Sequence, residues 1–348
     1  MIFAILVVCG IAYNLLAIAG ALQFGRRKAI PDFKPPVSIL KPVRGRDPQF
    51  YEAIRSHALQ QYPAFELIFG ALPGDPARED IERLQVEFPA IYIRIVNSEN
   101  DAANGKVGSL EKLAAEARHE VLLVNDGDIR VPPDYLARVI GLLADEKVGL
   151  VTCLYRGRAA SLPSKAEALG IATEFAPSVL VARLVSDGAF ALGSTMAFRA
   201  SGLKAIGGFA TIRDYLADDY QLGARVGRVA LADVIVETNL GAGSWNDVWK
   251  HQVRWSRTIR VSRPAGYFGY VMTQLTFWCL WAPWKFALAG IAVRVVAASF
   301  YTNWKTLLFV PFRDLFGFAV WAAGMLGNTV EWRGMRYKLS SDGRITRL

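Results

Sequence analysis

The first 24 residues, MIFAILVVCGIAYNLLAIAGALQF, carry no charged side chain, and no other feature limits the fold so strongly. As a helix they measure about 36 Å, enough to cross a hydrocarbon layer of about 30 Å. The basic cluster Arg26, Arg27, Lys28 comes after the apolar run, whereas a cleaved leader carries its basic residues in front. Residues 1–24 therefore read as an anchor, and the positive-inside rule places the chain from Gly25 onward in the cytoplasm. A buried helix of a soluble core is the competing reading, and the uncharged length argues against it.

A second apolar zone spans residues 264–330, rich in Trp and Phe but interrupted by Lys285, Arg294, Lys305, Arg313 and Asp314. Gly266–Pro283 and Phe286–Tyr301 read as a transmembrane hairpin, with Trp281 and Trp284 at an interface. Leu307–Val330 reads as a third crossing or a re-entrant segment. Arg333, Arg336, Lys338, Arg344 and Arg347 in the tail 331–348 favour the cytoplasm and hence the re-entrant form. The mean hydropathy of +0.24 belongs to these two ends, and the net charge of +9 suits a surface facing anionic lipid or a phosphorylated substrate. No basic run with interleaved aromatics points to nucleic acid outside the membrane-proximal segments. Three cysteines, Cys9, Cys153 and Cys279, make no disulfide framework, in keeping with a cytoplasmic body.

After a linker at 25–36, β-rich runs alternate with helical patterns from Val37. VSIL, FELIFGAL, IYIRIV, VLLVND and VGLVTC are separated by helix-like stretches at 47–61, 76–88, 105–119 and 132–146. This alternation predicts an α/β domain over 37–263 with a mostly parallel, Rossmann-like sheet. Ligands bind such sheets beyond the carboxyl ends of the strands.

Chemistry-bearing residues gather at those ends. Asp126 and Asp128 come directly after the VLLVN run, with Gly127 expected to allow a tight turn. Two carboxylates at this spacing can share a hard divalent cation, or simply end a strand in a solvated turn. Asp47, beside Lys41, Arg44 and Arg46, reads either as a ligand-edge acid or as the N-cap of the next helix ahead of Pro48. Lys106 starts a helix, where it meets an anionic ligand or stays exposed. Asp218 and Asp219 open a later helix, as dipole-favoured acids or with one as a general base. His251, Arg254 and Trp255 precede the second apolar zone, where a basic, Trp-bearing interfacial helix has the same composition; Trp245, Trp249 and Trp255 are expected at the interface.

Taken in order, VSILKPVRGRDP, KVG, LLVNDGDIRVPPDYL, KVGLVTCLYRG, GSTMAFR, ADDY, RW and WRGMRYKL resemble glycosyltransferase family 21, the ceramide glucosyltransferases and their bacterial relatives. The resemblance implies a GT-A fold, a UDP-sugar donor, a lipid alcohol acceptor and inversion at the sugar carbon. It associates Asp47 with the nucleotide, Asp126 and Asp128 with a divalent metal (Mg2+ or Mn2+), and Asp219 with the catalytic base. Lys106, His251, Arg254 and Trp255 complete the donor site. Arg254 and Trp255 match the closing motif, but His251 takes a place where the family has Gln or Arg, with Gln252 one position late.

Retention of the second acid, Asp128, resembles bacterial members that glycosylate hopanoids. The expectation is therefore N-acetylglucosamine transfer to bacteriohopanetetrol, with glucose transfer to ceramide as the alternative. The expected location is the bacterial inner membrane, multi-pass, with the catalytic domain cytoplasmic. A processive polysaccharide synthase shares the acidic positions but needs more spans. A non-catalytic membrane scaffold is opposed by the intact acidic set.

Overall fold

The computed structural model describes residues 1–26, 29–186 and 188–348, so Arg27 and Lys28 of the basic cluster lie outside the described residues. Its main sheet comprises β1 (Val37–Pro42), β2 (Phe65–Ala71), β3 (Tyr92–Asn97), β4 (Val121–Val124), β5 (Val148–Arg158), β6 (Met196–Arg199) and β7 (Arg228–Asn239). The strand order is β3-β2-β1-β4-β6-β5-β7. β6 pairs antiparallel with β4 and β5, and the other neighbours run parallel. Alternation along β1 sends Val37 and Ile39 to one apolar layer and Leu40 to the other, as burial on both faces requires. The five expected strands are present, and so is the TMAFR strand as β6.

The tail does not dangle. β8 (Thr329–Trp332), β9 (Met335–Leu339) and β10 (Ile345–Arg347) form an antiparallel sheet. It docks on residues 214–216 through Ile345 N–H to the Asp214 carbonyl (2.8 Å) and Leu216 N–H to the Gly343 carbonyl (3.2 Å). Arg333 (φ 48°) and Gly334 (φ 76°) make the two-residue β8–β9 turn, both left-handed as that hairpin type demands.

Two helical stretches among the described residues are long and apolar enough to cross a membrane, Ile2–Phe24 and Leu162–Val185. The second, unforeseen in sequence, carries a π-turn at Ile171–Phe175. Gly20 lets the two approach, because a Cβ there would lie 2.9 Å from that of Leu180. The expected hairpin is different in form. Its first arm is broken into Pro264–Gly269, Tyr270–Thr273 and Leu275–Cys279, and its second, Trp284–Ser299, has 16 residues. That second arm is about 24 Å long, short of a full crossing. Three of the interrupting charges turn inward, where Arg294 pairs with Asp314 (2.6 Å) and Arg313 with Glu174 (3.0 Å), while Lys285 and Lys305 stay exposed. Buried charges persist only when neutralised and hydrogen-bonded in this way. Outward, Trp281, Trp284, Trp304, Leu308, Phe309 and Phe312 remain exposed.

Candidate active site

β4 ends at Val124, and Asn125 fixes the position of the acidic turn beyond it. Its amide donates to the Ser194 carbonyl (2.7 Å) and the Tyr135 hydroxyl (2.9 Å), tying the end of β4 to the loop before β6. The Asp126–Gly127–Asp128 turn then leaves the sheet edge. Arg130 and Glu237 exchange backbone hydrogen bonds of 2.8 and 2.9 Å, which hold the turn against β7. The Thr238 hydroxyl donates to Asp128. Gly127 has no left-handed φ, and a Cβ there would make only ordinary contacts, so the turn does not depend on glycine as expected.

Asp47 is not the helix cap. The next helix, Phe50–Ala58, starts three residues later with Gln49 at its N-cap position and no side-chain cap. Asp47 instead turns toward the acidic turn, with its Oδ2 3.7 Å from where a Gly127 Cβ would stand. Arg333 reaches the same place from the C-terminal sheet, 3.9 Å from Asp47 and bonded to the Arg44 carbonyl. Burial raises the Asp47 carboxyl above its ordinary value against the pull of Arg333, and the charge of Asp126 adds to the rise.

Lys106 is no exposed helix-start lysine. Asn104 caps the Gly105–Glu116 helix, and the Lys106 ammonium lies 2.8 Å from Asp126 and 3.0 Å from Asp218. Burial alone would lower its pKa; the carboxylates of Asp126, Asp218 and Asp219 override that and hold it above the ordinary lysine value. Asp219 accepts the Gly193 N–H (2.8 Å) and the Tyr220 N–H (2.7 Å). A Cβ on Gly193 would sit 3.4 Å from Asp219 Oδ2 and 3.6 Å from both Asp126 Oδ2 and Lys106 Nζ, so these three groups surround one point. Burial first, then Asp218, pushes the Asp219 carboxyl up to about 6 against Lys106. Burial, then Asp126, pushes Asp128 up to about 6 as well. Such displaced carboxyls in a cleft mark candidate acid–base positions.

Trp245–Ser262 is one helix started by a Ser244–Asp247 capping box. Trp245 and Trp249 are exposed on it, while Trp255 is half-buried. It packs on Tyr155, Phe175 and, at 4.5 Å between rings, His251. His251 Nδ1 meets Glu167 Oε1 at 2.6 Å. Arg254 stands over Trp332, and burial followed by Arg333 lowers its guanidinium to about 10. Sequence reasoning missed Arg333, Glu167 and Tyr155. For Arg333 the signal was present in the Arg-Gly pair between alternating runs, which reads as a hairpin. Lys41, read as an edge residue, is fully buried on β1 with its ammonium 3.0 Å from the Asp126 carbonyl. Burial lowers it to about 7 against the attraction of Asp128 and Asp126.

Among the described residues no three His, Cys, Asp or Glu side chains converge as a metal cage. Two carboxylates are nevertheless suited to Mg2+ or Mn2+, which take their remaining ligands from diphosphate oxygens and water. The mutual crowding of Asp47, Asp126 and Asp128 that raises Asp128 is what a cation would relieve. All of these groups line one cavity of about 1740 Å³ that runs on to Tyr13 of the first helix and to Glu174 and Tyr270.

The sequence pattern of glycosyl transferase family 21 matches residues 2–345. The chain belongs to this family. Ceramide glucosyltransferase 1 of Caenorhabditis elegans is 24% identical over 343 residues, covering 89% of this chain and 73% of the relative. Ceramide glucosyltransferase 3 of the same organism is 27% identical over 193 residues, covering 54% of this chain and 42% of the relative. Among solved structures, a mannosyltransferase from Pyrobaculum calidifontis in complex with GDP-Man and Mn2+ is 20% identical. It superposes with a TM-score of 0.59 over 93% of this chain and 98% of the other. The family 21 chain thus has a GT-A fold and is a glycosyltransferase, ceramide-glucosyltransferase-like in sequence.

Proposed function

We propose that this family 21 chain transfers a hexose from a UDP-sugar to the hydroxyl of a membrane lipid, inverting the anomeric carbon in a single displacement. The observation that carries the reading is the continuity of the cavity from Asp219 and Asp126 to Tyr13 on the Ile2–Phe24 helix. A lipid hydroxyl can reach the carboxylates through it while the acyl chains stay in the bilayer. The catalytic domain is residues 37–263, anchored by 1–24 and by the membrane region 264–330, and it works on the cytoplasmic face of a bacterial inner membrane.

Asp219 accepts the proton as the lipid oxygen bonds to the anomeric carbon and the bond from that carbon to the diphosphate oxygen breaks. The two backbone N–H groups on Asp219 hold the carboxylate in place and leave lone pairs for the substrate. Lys106, Arg254 and Arg333 supply positive charge toward the departing UDP, and Asp47 faces the nucleotide. A divalent cation held by Asp126 and Asp128 would neutralise the diphosphate. His251, bonded to Glu167, belongs to the acceptor side instead.

The names of the relatives favour ceramide and glucose. The hopanoid reading, N-acetylglucosamine to bacteriohopanetetrol, has no counterpart among them and rests on the second acid, Asp128. The test is to incubate the protein in lipid nanodiscs with UDP-glucose or UDP-N-acetylglucosamine, and with ceramide or bacteriohopanetetrol, reading products by mass spectrometry. A single-sugar glycolipid supports the proposal. A polymer or no lipid product rejects it.

A further inference from the structure

Glu167 lies in the Leu162–Gly170 helix, lines the cavity, and is 4% exposed. Its Oε1 is occupied, meeting His251 Nδ1 at 2.6 Å and accepting from Gln252 Nε2 at 3.3 Å. Its Oε2 has no hydrogen bond to the protein among the described residues, yet it is not a sealed, unsatisfied atom, so it opens on the cavity. A carboxylate oxygen that opens on the cavity takes its donor from water or from a ligand, and a ligand that displaces the water without replacing the donor is penalised. The neighbouring charges are already matched: Glu174 with Arg313, and Asp314 with Arg294. Gln252 Oε1 accepts from Arg313 (2.9 Å), and Tyr270 donates to Glu174 (2.9 Å). An anionic headgroup would find no free cation in this row among the described residues, whereas an O–H or N–H donor would find Glu167 Oε2.

Tyr155 links this wall to the reacting end. It lines the same cavity as Asp219 and packs on Trp255, whose ring meets that of His251, the partner of Glu167. Glu167 and the expected base line the same cavity. The π-turn at Ile171–Phe175, a distortion common at functional sites, comes one turn later and brings Glu174 onto the same wall.

We infer that Glu167 is an acceptor-specificity residue: while one lipid hydroxyl attacks from Asp219, a second hydrogen-bond donor of the same headgroup bonds to Glu167 Oε2. This rests on the lipid-acceptor reading above. It requires an acceptor with two donors, so a simple long-chain alcohol is a poor substrate.

The test takes whichever of ceramide and bacteriohopanetetrol turns over. It is compared with hexadecanol and with derivatives in which each remaining hydroxyl or amide N–H is methylated in turn. In the wild-type protein one methylated derivative loses about 10- to 100-fold in kcat/KM, the range for a hydrogen bond to a charged group, and hexadecanol loses at least as much. In Glu167→Gln the side-chain carbonyl stays with His251 and Gln252, and the amide turns a donor into the cavity. The preference for parent over the O-methyl derivative collapses there, because an ether oxygen can accept from that amide. UDP binding, followed by calorimetry, reports whether the variant is folded. Wild-type turnover of every derivative at the parental rate overturns the inference, as does an unchanged preference in a folded Glu167→Gln. If that variant does not fold, the wild-type series alone decides. Absence of transfer to any lipid hydroxyl, with UDP-sugar still bound, would instead reject the lipid-acceptor reading itself.

Discussion

Acidification should separate the two carboxyls that burial has displaced. Asp128 and Asp219 are each pushed up from 3.8 to about 6, one on the donor turn and the other beside the attacking oxygen. At about pH 7.5 roughly 97% of each is ionised, and at about pH 5 roughly 9%, from the ordinary titration relation. If both must be charged in the free enzyme, kcat/KM for the UDP-sugar falls about 100-fold across that interval, with a limiting slope of about two. If the donor binds with a divalent cation, that cation would hold Asp128 ionised, so kcat falls only about tenfold, with a slope of one. Linkage gives a second readout. Both folded pKa values lie above the unfolded value, so the native state keeps protons the unfolded chain releases, and stability is lost as pH rises through about 4 to 6. Each ionisation costs roughly 3 kcal/mol. Steady-state kinetics with ceramide in nanodiscs and thermal melts of the unliganded protein at the two pH values measure both effects. A kcat/KM that is flat from about pH 7.5 to 5 would refute the reasoning, whatever the melts show.

Other substitutions probe the remaining parts. Asp219→Asn should lower kcat by about 10²- to 10⁴-fold while UDP still binds in calorimetry, and normal turnover would remove the base assignment. Excess EDTA should stop transfer and Mn2+ or Mg2+ restore it; full activity in the chelator would exclude a metal on Asp126 and Asp128. Arg333→Ala should raise the UDP-sugar KM, more so at low salt, and lower kcat as well, because the charge it offers the departing UDP is lost. Gly149→Ala should unfold or strongly destabilise the chain, because its Cβ would stand 1.8 Å from the Val226 carbonyl oxygen. A melt equal to wild type would contradict that geometry.

Periodicity gave the strands and the acidic turn early, because β1, β2, β3 and β4 are short apolar runs between clear turn residues. It could not show that Lys106 bridges Asp126 and Asp218, since that contact joins a helix start to two separate loops. The Leu162–Val185 stretch is hidden in the sequence because Lys165, Glu167, Glu174 and Arg183 break its apolar run, and the partners of Glu167 and Glu174 come from distant helices. Arg294, Arg313 and Asp314 misled in the same way: a buried pair and two solvated charges look alike in sequence. The tail was read by its charge, while its alternation Val330, Trp332, Met335, Tyr337, Leu339 was the better guide to its packed face.

The C-terminal sheet also sets an order of events. Arg333 and Arg44 meet across 289 residues of chain, and β10 braces residues 214–216 just ahead of Asp218. Long-range closures of this kind come late, after local elements have formed. The proposed C-terminal membrane region, residues 264–330, lies inside that loop of chain, so the last cation reaches Asp47 only when everything between has been made and seated. A nascent or half-inserted molecule would hold its acidic turn without Arg333, and the donor site would thereby report on the completeness of the membrane part.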